Sequence, residues 1–202
     1  MTGPYPSSAA SGPSAAASMI TEKDALDRYL AEWSPGQPTS FLEAAVRDAR
    51  TAVGASPPAL WLGTLAYLIA VEQLGKTICL RRAPHGPASR DKASFLAACN
   101  DFGDSAHTEP DHRRLYDVRC ALAHKYGLTG NNTQFVYTRS DTAPLLDATT
   151  TPGKTRVNLV AVWKYVDDMV AGIRVLHAAG DIAILTGLTE QQVAELSFDI
   201  GP

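Results

Sequence analysis

The chain has 202 residues, of which 45% are hydrophobic and 19% are charged, and its formal net charge is −3. These values exclude a largely disordered chain, a collagen-like fibre and a coiled-coil rod, and they permit one globular domain with a real core. No apolar stretch reaches the roughly 18 residues that a membrane-spanning helix needs, and the overall charge is not that of a polybasic nucleic-acid binder.

The N-terminal segment and the cysteines set the expected domain limits and compartment. Residues 1–18 are mostly Ala, Ser, Pro and Gly and lack the basic and Leu-rich regions of a signal peptide, so they predict a flexible tail. Met19 follows as a candidate internal start site, and residues 19–202 are expected to form one domain.

The cysteines form no CxxC pair, which is typical of free thiols in a reducing cytoplasm. They are Cys79, Cys99 and Cys120.

Capping residues and hydrophobic periodicity predict a mainly helical fold. The segment after Pro57 and Pro58 is apolar on almost every side, which indicates a buried central helix closed by Gly75. Glu72 within it argues against a membrane span. The first predicted helix begins after Thr21, and the last is a short helix after Thr189. Between them, helices are predicted at about 41–53, 59–74, 91–102, 109–124 and 162–176.

A change of pattern after the fifth helix predicts a small β element. Residues 134–139 and 156–162 have the composition of strands, residues 144–148 are a weaker candidate, and Pro152-Gly153 indicates a turn. The expected fold class is therefore mainly α, a helical bundle with a small β-hairpin at about 134–162.

The most informative segment is residues 113–128, with the sequence RRLYDVRCALAHKYGL. Arg119 and His124 are separated by four residues late on a capped helix, Tyr116 precedes them, and Leu-Ala-His closes the motif. This segment resembles the R-x4–6-H motif of the HEPN superfamily, small helical bundles found in prokaryotic toxins, defence nucleases and RNA-processing factors. The resemblance implies a HEPN-like bundle over about residues 38–180.

The chemistry of this residue pair suits RNA cleavage by attack of the 2′-hydroxyl on the adjacent phosphorus. An imidazole with a pKa near 6.5 serves as base or acid at cellular pH. A guanidinium is permanently charged and matches the non-bridging oxygens of the transition state. On an ideal helix Arg119 and His124 lie about 140° apart, so convergence requires the helix to loosen near Ala123 or the site to form between protomers.

The resemblance implies a homodimer that places two copies of Arg119 and His124 across one cleft, with RNA as the substrate. Residues 76–125 hold nine Lys/Arg against six Asp/Glu and four of the five histidines, which favours a polyanion-binding surface there. We expect the other substrate-binding residues near the motif. They are Arg113, Arg114, Tyr116, Lys125 and Tyr126.

No cofactor and no metal are expected. The stretch from His107 to His112 holds four potential metal ligands, but it is interpreted as a solvated helix start whose acids lie near the N-terminal dipole.

Two hypotheses follow from the sequence. The first is a metal-independent endoribonuclease of HEPN type, acting as a toxin or antiphage effector, with an antitoxin or another protein subunit as a further partner. The second is a catalytically silent HEPN-like dimer that serves as a scaffold, a partner subunit or a ligand sensor. The second is kept because Cys120 stands where nuclease members usually carry a polar residue.

Overall fold

The structure is a computed structural model. It describes residues 20–32, 34–35, 37, 39–55, 59–86, 88, 90–124, 134–147 and 152–198. The expected N-terminal tail, Met19, Lys125 and Tyr126 lie outside these residues.

The fold is mainly helical, as predicted, and its described part contains seven helices. They are α1 Glu22–Leu30, α2 Phe41–Gly54, α3 Leu60–Thr77, α4 Asp91–Phe102, α5 Glu109–His124, α6 Leu159–Ala178 and α7 Glu190–Ala194. No helix in these ranges is both long enough and apolar enough to cross a lipid bilayer.

Capping residues that the sequence predicts begin several of these helices. Thr21 forms a complete capping box with Asp24 at the start of α1, and a Thr189 capping box starts α7. The Ser40 hydroxyl accepts the backbone N–H of Glu43 at 3.0 Å and caps α2. These bonds satisfy backbone N–H groups that have no partner within the helix.

Helix α3 is the buried centre of the fold, which confirms its prediction. Helices α2, α4, α5 and α6 all pack against it. Its residues Tyr67, Leu68, Val71 and Leu74 are at most 1% exposed. Burial on several sides accounts for its nearly continuous apolar sequence.

Gly75 does not close α3, because the helix continues to Thr77. A Cβ atom at this position would lie 1.8 Å from the backbone oxygen of Ser94 on α4. Glycine is therefore required here by the close approach of two helices and not by a helix end.

Seven short strands form three small sheets among the described residues. They are β1 Thr39–Ser40, β2 Ile78–Leu80, β3 Gln134–Thr138, β4 Leu146–Asp147, β5 Lys154–Asn158, β6 Ile182–Ile184 and β7 Ser197–Phe198. The antiparallel pairs are β1 with β7 and β2 with β6, and the third sheet has the order β3-β5-β4.

The third sheet shows that the predicted β-hairpin at 134–162 is wrong. Strands β3 and β5 run parallel, with Phe135 opposite Thr155, so they cannot form a hairpin. The antiparallel partner of β5 is β4, the weaker strand candidate. Residues 159–162, predicted as strand, form the first turn of α6, where Leu159 and Val162 are buried against the core.

Candidate functional site

Helix α5 positions the two residues of the R-x4–6-H motif. Its buried face consists of His112, Leu115, Val118 and Ala121, and it packs against α3 and α4. The helix remains regular through Ala123 to its last residue, His124, so it does not loosen where convergence of the motif within one protomer would require. The two motif side chains therefore leave the helix about 140° apart.

Arg119 belongs to a cluster of four charged residues between α3, α4 and α5, here called the Glu72 cluster. Its Nη2 atom lies 2.9 Å from Oε2 of Glu72, and the two side chains are only 15% and 3% exposed. Lys76 Nζ lies 2.5 Å from Glu72 Oε1 and 2.7 Å from Asp91 Oδ1. Two cations and one further anion thus meet around the buried carboxylate of Glu72.

The contacts of Arg119 leave hydrogen-bonding capacity unused. Its Nε atom is buried and has no hydrogen-bond acceptor among the described residues. The contact with Glu72 has the distance of an ion pair, but Oε2 receives no bond of hydrogen-bond geometry. A buried guanidinium normally has partners for its N–H groups, so Arg119 is an under-satisfied cation.

Lys76 stabilises the ionised carboxylate of Asp91, which is the residue that α4 contributes to the Glu72 cluster. Its hydrogen bond holds the pKa of Asp91 below the ordinary value. Burial opposes the charge on Lys76 itself, but the bonds to Asp91 and Glu72 prevail and raise its pKa. Both groups are therefore ionised at neutral pH.

His124 is exposed at the C-terminal end of α5. Within the described contacts, none joins His124 to Arg119. The chain thus presents the predicted catalytic pair as a largely buried guanidinium and a separate exposed imidazole.

The predicted substrate-binding residues have ordinary surface or packing partners in the structure. Arg113 and Arg114 are exposed and pair with Glu109 at 2.6 Å and with Asp111 at 3.7 Å. Tyr116 is partly buried, and burial raises its pKa to about 12. Its ring makes an edge contact with Phe95 at 5.6 Å, and the Lys92 ammonium lies 5.8 Å from its centroid.

An apolar pocket lies beside the end of α5. Leu122, two residues before His124, lines this pocket of about 450 Å³ together with Trp61, Leu62 and Leu65. Trp61 is 47% exposed and Leu62 is 62% exposed. Large apolar side chains grouped on a surface are typical of interaction sites. These four residues are called the Trp61 patch below.

The chain was compared with protein-family models, curated proteins and solved structures. None of them matches.

Sequence reasoning missed the partners of Arg119. The sequence pattern assigns no ionic partner to Arg119, and it uses Glu72 only as an argument against a membrane span. The available signal was a single acid in a helix that is otherwise apolar, because a buried carboxylate needs a cation nearby.

The stretch from His107 to His112 differs from its interpretation as a solvated helix start. His112 is only 4% exposed and belongs to the buried face of α5, so that interpretation is wrong at this residue. Among the described residues, no group of three or more His, Cys, Asp or Glu side chains is arranged to hold a metal ion.

Proposed function

We propose that the protein is a metal-independent endoribonuclease with a HEPN-like bundle, acting on RNA as a homodimer. The observation that best supports the proposal is that α5 combines an under-satisfied arginine with an exposed histidine about one and a half turns further on. Neither a fully paired arginine nor a buried histidine would suit phosphodiester chemistry.

In this reaction the 2′-oxygen of a ribose loses its proton and forms a bond to the adjacent phosphorus. The bond from phosphorus to the 5′-oxygen breaks, and that oxygen takes up a proton. His124 supplies the base or the acid, and Arg119 stabilises the charge on the non-bridging oxygens. The products are a 2′,3′-cyclic phosphate and a 5′-hydroxyl.

Dimerisation is proposed because one imidazole cannot conveniently be both the base and the acid of a single in-line displacement. A two-fold axis supplies a second His124 and a second Arg119. The Trp61 patch supports self-association, since it places exposed apolar surface two residues from His124. A toxin or antiphage role, with an antitoxin or another subunit as partner, belongs to the same proposal.

A specific observation favours the second candidate, a catalytically silent bundle that acts as a scaffold, partner subunit or ligand sensor. The charge of Arg119 is matched by Glu72, a carboxylate that is 2% exposed. Such a pair joins α3 to α5 and gives Arg119 a structural role that requires no RNA.

Cleavage of single-stranded RNA by the purified full chain in EDTA tests the first candidate. We expect cyclic phosphate ends, and we expect His124→Ala to abolish cleavage while the melting temperature and the dimer mass are retained, because the residue is exposed. His177→Ala is the matched control, because this histidine pairs with Asp27 on α1 and lies outside the motif.

Two outcomes contradict the nuclease proposal. One is wild-type protein that leaves RNA intact. The other is cleavage that His177→Ala reduces as much as His124→Ala does. A folded dimer without cleavage favours the silent bundle, and a strictly monomeric protein contradicts the composite site.

A further inference from the structure

A cavity of about 390 Å³ lies between the turn after α4, the segment before β4, and α6. No residue of the Glu72 cluster or of the Trp61 patch lines it, so it is separate from the proposed catalytic site. Apolar side chains form part of its lining. They are Phe102, Leu145, Ala161 and Met169.

Two aromatic rings form one wall of this cavity. His107 and Tyr165 both line it, and their rings meet edge to face with centroids 5.4 Å apart. Tyr165 is 6% exposed, and its hydroxyl is buried without a hydrogen-bond partner among the described residues. The nearby Cys99 thiol interacts with that hydroxyl but is a weak hydrogen-bond donor. The hydroxyl oxygen therefore keeps its capacity to accept a proton donor.

The hydroxyl of Tyr165 lies so close to Gly103 that no larger residue fits at position 103. A Cβ atom at Gly103 would come within 2.3 Å of Tyr165 Oη, and Gly103 itself lines the cavity. The unpartnered oxygen thus lies against Gly103, and Asp104, the next residue of the chain, also lines the cavity and acts electrostatically on this hydroxyl.

The buried imidazole of His112, whose ring centroid lies 6.5 Å from that of Tyr165, is also an acceptor, although it does not line the cavity. His112 Nδ1 lies 3.2 Å from Asn100 Oδ1, so the assignment that satisfies both residues puts the proton on Nδ1. Nε2 is then unprotonated, and it is buried without a partner in the described chain. Burial lowers the pKa of His112, which agrees with a neutral ring.

The charges around the cavity leave an excess of negative charge. Lys164 forms an ion pair with Asp168, one turn further along α6. Asp104 Oδ1 accepts the backbone N–H of Ala106 at 2.9 Å, which holds the carboxylate in place. Among the described residues Asp104 has no cationic partner, and its second oxygen is free to accept a donor.

We infer that this cavity binds a small organic cation of the primary alkylammonium class. The ammonium group donates to Asp104 and to the hydroxyl oxygen of Tyr165, and its alkyl chain lies along the apolar lining. An ammonium group has three donors and no acceptor, so it complements a wall that offers acceptors.

Binding of n-butylammonium chloride to the full chain, followed by calorimetry and by NMR shifts of cavity residues, tests this inference. Neutral 1-butanol and anionic butyrate are probes of nearly the same size. We expect the amine to bind about tenfold more tightly than the alcohol, because charge-assisted hydrogen bonds are the stronger ones, and we expect no binding of butyrate.

Asp104→Asn is the principal variant, because the amide oxygen still accepts the Ala106 N–H while the charge is removed. We expect it to weaken amine binding about tenfold, and we expect Tyr165→Phe to weaken it about threefold. Glu190→Gln, the same charge change on α7 away from the cavity, is expected to leave binding unchanged.

Equal affinity for the amine and the alcohol would overturn the inference, as would wild-type affinity in Asp104→Asn or the absence of amine binding at millimolar concentration. RNA cleavage by Asp104→Asn is expected to equal that of the wild type. Failure of amine binding and failure of the proposed nuclease function are therefore distinguishable.

Discussion

Two arginines approach buried glutamates in this fold, and they differ in how completely they are paired. Arg174 on α6 uses all three of its nitrogens. Its Nε donates to the Leu30 carbonyl at 3.1 Å, Nη1 to Glu32 at 3.1 Å, and Nη2 to the buried Glu43 at 2.6 Å. This arginine joins three segments of the chain with no donor nitrogen left over.

Arg119 makes one ion-pair contact to Glu72, and its Nε has no acceptor in the described part of the chain. The two arginines are similarly buried, with side chains 15% and 22% exposed. Burial alone therefore does not separate them, whereas hydrogen-bond satisfaction does. The contacts of Arg174 are explained by stability, whereas those of Arg119 leave a buried donor that stability does not explain.

The largest expected effect comes from alanine substitution of these two arginines. Arg174→Ala leaves Glu43 buried and unpaired, and we expect a loss of about 3–5 kcal/mol in the free energy of unfolding. Arg119→Ala leaves Glu72 with Lys76, and we expect a loss of about 1–2 kcal/mol. Urea unfolding measures both losses. RNA cleavage is expected to vanish in Arg119→Ala and to follow the folded fraction in Arg174→Ala.

A larger loss of stability for Arg119→Ala than for Arg174→Ala would contradict this comparison, since it would make Arg119 the main structural arginine of the fold.

Gly75→Ala tests whether the close approach of α3 and α4 supports the Glu72 cluster. The added Cβ would meet Ser94, so α4 must move away and Lys76 loses its reach to Asp91. We expect a loss of about 1–3 kcal/mol in the free energy of unfolding. The matched control is Gly172→Ala, because a Cβ there meets nothing within 4 Å. That change is expected to stabilise α6 by up to about 1 kcal/mol.

Equal effects of these two glycine substitutions would show that helix propensity, and not the contact between α3 and α4, governs position 75.

Local chemistry explains which parts of the fold the sequence predicted. The capping residues Thr21, Ser40 and Thr189 bond to backbone N–H groups only three residues away, so the pattern is visible in a short window. Helix α4 was predicted with the bounds that the structure has, and α5 ends at the predicted His124.

Contacts between distant parts of the chain explain what the sequence did not predict. Gly75 is typical of a helix end until α4 is known to lie against it. Strands β2 and β6 have only three residues each, which is too short for a recognisable pattern, and the parallel pairing of β3 with β5 depends on the path of the chain through β4. The Arg119–Glu72 contact likewise joins residues that are far apart in the sequence.

Glu72→Gln tests whether Glu72 competes with RNA for Arg119. The substitution removes the negative charge of Glu72, while Arg119 and Lys76 keep their positive charges. We therefore expect the affinity for single-stranded RNA to rise about threefold, which is equivalent to about 0.6 kcal/mol. Fluorescence anisotropy at one fixed salt concentration measures it. Glu43→Gln changes the same charge beside Arg174 and is expected to leave RNA affinity unaltered. Unchanged or weaker binding by Glu72→Gln would place Arg119 outside the RNA-binding surface.

In hydrogen-bond satisfaction His112 is intermediate between Arg174 and Arg119. One of its ring nitrogens is paired with Asn100, and the other has no partner in the described chain. Burial lowers the pKa of His112 in the folded state below the ordinary value near 6.5. At a pH between these two pKa values, the unfolded chain binds a proton at His112 that the folded chain does not bind. The contribution of His112 to stability is therefore complete above about pH 6.5 and is lost as the pH falls through this window. His112→Gln keeps an N–H donor for Asn100 but does not titrate, and we expect its melting temperature to fall less between pH 7 and pH 5 than that of the wild type. Parallel pH profiles of the two proteins would mean that the unpaired nitrogen of His112 accepts a proton in the folded state as readily as in water, so that burial does not affect its protonation.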